Sequence, residues 1–118
     1  MNRPVHFEIL ADHPEEVGKF YHEVLGWKIE TWEGPIEYWL VTTGEEGTPG
    51  MNGAIMRRDF PQAVINTIEV ESLDETLKKV EAAGGKILGG PNQITGVGIH
   101  AYCADPEGNM FGLLQPTM

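Results

Sequence analysis

Two strand-like stretches carry the side chains best suited to chemistry. In Val5-His6-Phe7-Glu8-Ile9, alternation with period two sends Val5, Phe7 and Ile9 to one face and His6 and Glu8 to the other. An imidazole titrates near neutrality, so His6 is a candidate acid-base or ligand-contacting group. The plainer reading is a hydrogen-bonded polar residue on a half-buried strand. In the second stretch, Ile65 to Ser72, Glu69 projects opposite Ile68 as Glu8 projects opposite Phe7. His6, Glu8 and Glu69 are therefore the catalytic candidates, a carboxylate being the natural base for taking a proton next to a carbonyl.

Aromatic residues form a second set. Trp27, Trp32, Tyr38, Trp39 and Tyr102 all fall in strand-like segments, where flat rings can stack on a planar ligand and face a cation. The structural alternative is that at least half of the five are packing residues. Cys103 has no basic or metal-like neighbour in sequence and reads as an inert thiol. Asp105-Pro106-Glu107-Gly108 reads as a hairpin turn, with Pro fixing φ and Gly relieving it. The segment Gly44 to Gly53 lacks the Lys-Ser/Thr ending of a phosphate loop and reads as a rim loop.

The elements that must position these residues come as a repeat. A strand from Val5 to Asp12, a helix from Pro14 and a stop at Gly26 are matched by a strand from Ile65 to Ser72, a helix from Leu73 to Ala83 and a stop at Gly84 or Gly85. Asp12 with Glu15 and Ser72 with Glu75 have the spacing of capping boxes, sixty residues apart. Val17, Phe20, Tyr21, Val24 and Leu25 form an expected core stripe on the first helix, and Leu73, Leu77, Val80 and Ala83 on the second. Strands are predicted at 27–33, 38–43 and 53–57, then at 86–88, 98–103 and 109–114, with Gly34-Pro35 and Gly89-Gly90-Pro91 as dividers. The order is β-α-β-β-β twice, an α+β fold, with modules 1–59 and 62–118 joined at Phe60-Pro61-Gln62 in a single domain.

Composition bounds the function. The chain has 118 residues, enough for one hydrophobic core, and its 41% apolar and 22% charged content is that of an ordinary globular protein. Eight Lys and Arg against 18 Asp and Glu give a formal charge of −10, which argues against nucleic acid and anionic membrane as partners. The same field favours a neutral or cationic ligand. No apolar run approaches a membrane span, and the single cysteine fits a reducing compartment, so a cytoplasmic location is expected.

Phe20-Tyr21-His22-Glu23-Val24-Leu25-Gly26-Trp27 and Asp105-Pro106-Glu107-Gly108-Asn109-Met110-Phe111-Gly112-Leu113 resemble the signatures of the vicinal oxygen chelate superfamily of glyoxalases, bleomycin-resistance proteins and extradiol dioxygenases. The resemblance covers nearly the whole chain. It implies paired βαβββ modules curling around a cleft that takes a small organic molecule, commonly in a homodimer. In metal-using members a His or Gln on the first strand of each module and a Glu on the last strand hold a divalent ion that polarises a carbonyl or enediolate oxygen. Here His6 fills the first place. Thr67 or Ile65 matches it in the second module, residues 52–56 hold no carboxylate, and Gly112 stands where the Glu is expected. The resemblance thus implies binding without a complete metal site, His6 being the ligand if a metal is present. The alternative is a metal-dependent lyase, isomerase or dioxygenase, with a site drawn from His6, Glu8, Glu69 and His100. An anionic glutathione adduct would need a basic clamp, for which only Arg57 and Arg58 are placed; alternation lets at most one face the cleft. The expected ligand-binding set is Trp32, Tyr38, Arg57, Thr67, His100 and Tyr102, with no cofactor beyond that divalent metal.

Overall fold

The computed structural model describes residues 1–117, so Met118, the last residue of the expected second module, lies outside them. Contacts divide the chain into two compact units, His6–Ile65 and a second made of Met1–Val5 with the chain from Asn66 onward. The first unit holds β1 (Arg3–Ala11, from His6 on), α1 (Pro14–Leu25), β2 (Lys28–Thr31), β3 (Tyr38–Thr42) and β4 (Gly53–Arg57). Its strands run in the order β2-β3-β4-β1, with β1 and β4 parallel and the other pairs antiparallel. The second holds β5 (Val64–Glu69, from Asn66 on), α2 (Leu73–Ala82), β6 (Lys86–Ile94), β7 (Gly98–Ala104) and β8 (Met110–Pro116), ordered β6-β7-β8-β5 with β5 and β8 parallel. The expected β-α-β-β-β order thus appears twice, in a mixed α+β fold.

Each parallel strand pair is joined through a helix, and each helix covers one face of its own strands. In the first unit Phe7, Ala11, Val41 and Ile55 form the buried cluster, with Ile9, Val17, Trp27, Ile29 and Trp39 packed against it. In the second, Val70, Leu73, Leu77, Ala101, Cys103 and Leu113 play that part, flanked by Ile68, Val80, Ile87 and Phe111. Alternation along the strands therefore leaves the opposite face of each sheet to other residues, among them His6, Glu8, Thr67 and Glu69.

Three local expectations are corrected. Helix α1 is not capped by Asp12: the cap position is His13, which makes no side-chain cap hydrogen bond, while Asp12 Oδ1 accepts from Arg58 Nε at 3.3 Å. Pro14 at the first helical position fixes φ for the opening turn. Ser72 does cap α2, its hydroxyl accepting from Glu75 N–H at 3.3 Å. Of the expected core stripe of α1, Val17 packs on the core and Tyr21 stacks on Trp27, but the other three residues turn outward. Pro14 and Gly18 are its buried residues, whereas Phe20, Val24 and Leu25 are 57%, 60% and 55% exposed. Gly18 is the reason: a Cβ there would lie 3.2 Å from Ile29 Cγ2 and 3.7 Å from Ile55 Cδ1, so the helix seats its backbone on these side chains and turns the larger apolar residues outward. Finally, Gly89-Gly90-Pro91 does not end a strand. β6 runs through it to Ile94, with register shifts between Ile87 and Gly89 and between Gly89 and Asn92 that accommodate a proline unable to donate to the ladder.

Candidate functional site

The sheet face of the first unit that α1 does not cover carries a chain of three polar side chains. Glu8 pairs with Ala54 across β1 and β4, and Ala54 with Leu40 across β4 and β3. Tyr38 pairs with Met56, one row away. Ala54 puts only a methyl group between the outer strands, so the phenol of Tyr38 reaches across β4 and donates to Glu8 Oε2 at 2.7 Å. Nε2 of His6, two residues before Glu8 on the same face, lies 2.9 Å from the Tyr38 hydroxyl. A hydroxyl has one proton to give. With that proton on the Glu8 side, the Tyr38 oxygen accepts from His6 Nε2–H, and this assigns the His6 tautomer from its network.

Burial sorts the three members. Glu8 is 5% exposed, one of two buried polar residues among those described, while His6 and Tyr38 are half-buried. A carboxylate so enclosed must be hydrogen-bonded to remain in a folded core, and Tyr38 supplies the bond. Burial also pushes the His6 pKa below its ordinary 6.5, against a smaller upward pull from the charge of Glu8, which keeps the imidazole neutral at physiological pH. The ring of Trp32 meets Tyr38 edge-on, with centroids 5.6 Å apart, and adds an aromatic wall. Trp27 and Trp39 lie on the other face, in the core under α1.

The ladders of the second unit show what became of the same positions there. Thr67 pairs with Gly112 and Gly112 with Tyr102, while His100 pairs with Leu114. Counting along both ladders, Glu8 corresponds to Thr67, Ala54 to Gly112, Tyr38 to His100, Leu40 to Tyr102 and His6 to Ile65. Thr67 is the other buried polar residue, at 3% exposure, and Ile65 is wholly buried. His100 and Tyr102 meet edge to face at 4.5 Å. A Cβ on Gly112 would come within 2.7 Å of His100 Nε2 and 3.0 Å of Thr67 Oγ1, so the space above this glycine belongs to those two side chains.

At the positions where the resemblance expects metal ligands, other residues stand beside His6. The place expected for a carboxylate on β8 is Gly112, with His100 over it; its counterpart on β4 is Ala54; and His6 has Ile65 as its counterpart. Among the described residues no three His, Cys, Asp or Glu side chains gather as a metal site. His6 instead shares its Nε2 with Tyr38.

Of the expected site residues, the structure brings His6, Glu8, Tyr38 and Trp32 together in the first unit. Thr67, His100 and Tyr102 cluster in the second, where Glu69 pairs with Leu114 next along the strand. Arg57 is at the exposed end of β4, bonded to the carboxylate of Glu37 and to the carbonyl of Asp12. Its guanidinium is held still more firmly charged than usual by the hydrogen bond it donates to Glu37. Cys103 is fully buried, and desolvation raises its thiol pKa, the opposite of what a nucleophile requires. Asp105 is a turn residue, its Oδ1 accepting from the amides of Glu107 and Asn109 and its Oδ2 from Asn109 Nδ2. Those bonds, that of Asn109 foremost, hold its carboxyl below the ordinary range. Ala54 and Leu40 were not foreseen as parts of the site; the signal in the sequence was the small residue at 54 between two bulkier strands.

Residues 3–113 match the Glyoxalase/Bleomycin resistance protein/Dioxygenase superfamily, and the chain belongs to it. Among curated proteins it is 30% identical over 112 residues to the provisionally named glyoxylase CFP32 of Mycobacterium bovis and to that of Mycobacterium tuberculosis. The match takes in 93% of this chain but 42% of each relative, so the chain spans less than half the length of those proteins. Among solved structures, methylmalonyl-CoA epimerase from Mycobacterium tuberculosis superposes with a TM-score of 0.70 at 14% identity, over 98% of this chain and 88% of that one. A Streptomyces coelicolor methylmalonyl-CoA epimerase variant in complex with 2-nitronate-propionyl-CoA gives 0.73 at 12% identity, over 100% and 99%. Hypothetical protein BH1468 from Bacillus halodurans gives 0.72 at 15%, over 98% and 95%. At such identities the likeness is one of fold.

Proposed function

We propose that this protein binds a small neutral or cationic organic molecule against the His6, Glu8, Tyr38 and Trp32 face of its first unit, without a complete metal site. The observation that carries this reading is the enclosed Glu8 carboxylate, which accepts from the hydroxyl of Tyr38, whose ring Trp32 meets edge-on. A buried carboxylate beside ring faces attracts an amine or a polarised hydroxyl, and the formal charge of −10 adds a field of the same sense. Thr67, His100 and Tyr102 are proposed as ligand contacts on the second unit's own face, and Arg57 as a rim contact of the first. Assembly as a homodimer belongs to the same reading; the exposed Phe20, Val24 and Leu25 of α1 offer an apolar surface for it.

A second reading has its own support. The 30% identity to CFP32 and the retention of His6 at a ligand position favour a metal-dependent lyase, isomerase or dioxygenase. Elemental analysis of the purified protein followed by titration with Ni²⁺, Zn²⁺ and Fe²⁺ separates the two. The first reading expects no stoichiometric metal and no thermal shift, together with quenching of tryptophan fluorescence by members of a panel of aromatic amines and neutral aromatic compounds. Stoichiometric metal that disappears in His6→Ala would overturn it.

A further inference from the structure

We infer that His6, Tyr38 and Glu8 form a metal-independent proton relay, in which Tyr38 takes a proton from a bound carbon acid while passing its own to Glu8. The inference rests on the small-molecule reading above and names its substrate class. Three observations carry it. The hydroxyl of Tyr38 is bonded on one side to Glu8 Oε2 at 2.7 Å and on the other to His6 Nε2 at 2.9 Å, a continuous path of short hydrogen bonds. Glu8 is 5% exposed and Tyr38 half-buried, so the phenol is the member of the path that meets a ligand and the carboxylate is its enclosed proton acceptor. Neighbouring hydrogen bonds in such a path polarise one another, which lowers the cost of moving both protons together.

The step balances within the path and the ligand. A C–H bond of the ligand breaks and an O–H bond to Tyr38 forms, as the original Tyr38 O–H breaks and a bond from that proton to Glu8 Oε2 forms. The electron pair left on carbon becomes a C=C bond while the carbonyl pair moves to oxygen, so the negative charge of Glu8 passes to an enolate. His6 Nε2–H stabilises the charge that builds on the Tyr38 oxygen during the transfer. Return of the Glu8 proton through Tyr38 to the enolate oxygen completes a keto-to-enol conversion, and the reverse sequence makes ketone from enol. No oxidant or reductant enters.

The substrate class follows from what the site does not assemble. The residues at the metal-ligand positions do not form a cation site for the enolate oxygen, so the acidity must lie in the substrate, as in a 1,3-dicarbonyl whose C–H is flanked by two carbonyls. A neutral compound suits the net charge of −10, and an aryl substituent suits the edge-to-face pair of Trp32 and Tyr38.

Benzoylacetone is a suitable probe, its tautomerisation followed by the absorbance of the enol with EDTA present, and its binding by tryptophan fluorescence. The protein should speed tautomerisation about a hundredfold over buffer, the usual scale for a positioned acid-base group, and Tyr38→Phe, which keeps the ring and its packing, should fall back to the buffer rate. Glu8→Gln should lose rate in the same way. Full acceleration in Tyr38→Phe, or acceleration abolished by EDTA, would overturn the relay; should Glu8→Gln not fold, Tyr38→Phe decides alone. Binding without acceleration by the wild-type protein overturns the relay and leaves the binding reading standing. No binding of benzoylacetone overturns the substrate class and the relay with it, and the ligand panel above then decides the binding reading separately.

Discussion

The two units are the same scaffold with different chemistry. Ladder for ladder, Glu8 and Tyr38 in the first stand where Thr67 and His100 stand in the second, and β5 carries Ile65 at the place His6 holds on β1. The first unit encloses a carboxylate and satisfies it through a phenol; the second encloses a hydroxyl beside an imidazole over a bare glycine. Core positions were kept apolar in both, because burial against the helix tolerates little else. The opposite faces are also buried at Glu8, Ala54 and Thr67, yet carry different side chains in the two units. A buried charge survives only with a partner, so the Glu8–Tyr38 bond marks the first unit as the one whose polar face cannot be altered without consequence.

The largest expected effect falls on what the units share. Ile55 in the first and Leu73 in the second are both fully packed, and replacing either with Ala should cost about 3 kcal/mol in denaturant unfolding, the usual scale for a large aliphatic core residue. A marked inequality between them would show that one core dominates. Next comes the polar difference. Glu8→Leu leaves the Tyr38 hydroxyl without its acceptor and should cost about 2 kcal/mol, whereas Thr67→Val, at the matching position, should cost about 1 kcal/mol or less. Equal costs would remove the asymmetry on which the site rests. The helix starts differ by a smaller margin. Ser72→Ala should lose about 1 kcal/mol, as a cap does, and Asp12→Ala only a few tenths, since its exposed ion pair with Arg58 is all that goes.

The smallest effect is on pH dependence. His6 has its pKa lowered in the folded state, so between 6.5 and that lower value the unfolded chain binds more protons and stability falls as the pH drops. Above 6.5 the contribution is fully present. His6→Gln should flatten that part of the stability profile, and an unchanged profile would mean that the imidazole titrates alike in both states.

The scaffold was legible in the sequence because its signals are local. Gly26 at φ 74° and Gly84 at φ 93° end their helices as expected, and the alternation that sets His6 and Glu8 opposite Phe7 and Ile9 holds in the structure. The misread parts depend on partners distant in sequence. Phe20, Val24 and Leu25 look like a core stripe by periodicity, yet the face of α1 that is buried was decided by Gly18 meeting Ile29 and Ile55. Asp12 has cap spacing, but His13 takes the cap position ahead of Pro14 and Asp12 pairs with Arg58. In the site, His6, Glu8 and Tyr38 could each be named from sequence, but their connection could not, because it spans 32 and 30 residues and depends on the small side chain of Ala54 in the strand between.

The hydrogen-bonded chain from His6 through Tyr38 to Glu8 is the centre of the proposed site. Long-range ¹H–¹⁵N spectra of protein labelled at histidine nitrogen read its first link directly. At neutral pH His6 should be a neutral imidazole with its proton on Nε2, should lose that preference in Tyr38→Phe, and should not move on addition of one equivalent of Zn²⁺. A proton on Nδ1, a tautomer indifferent to Tyr38, or a His6 signal captured by stoichiometric zinc would contradict it.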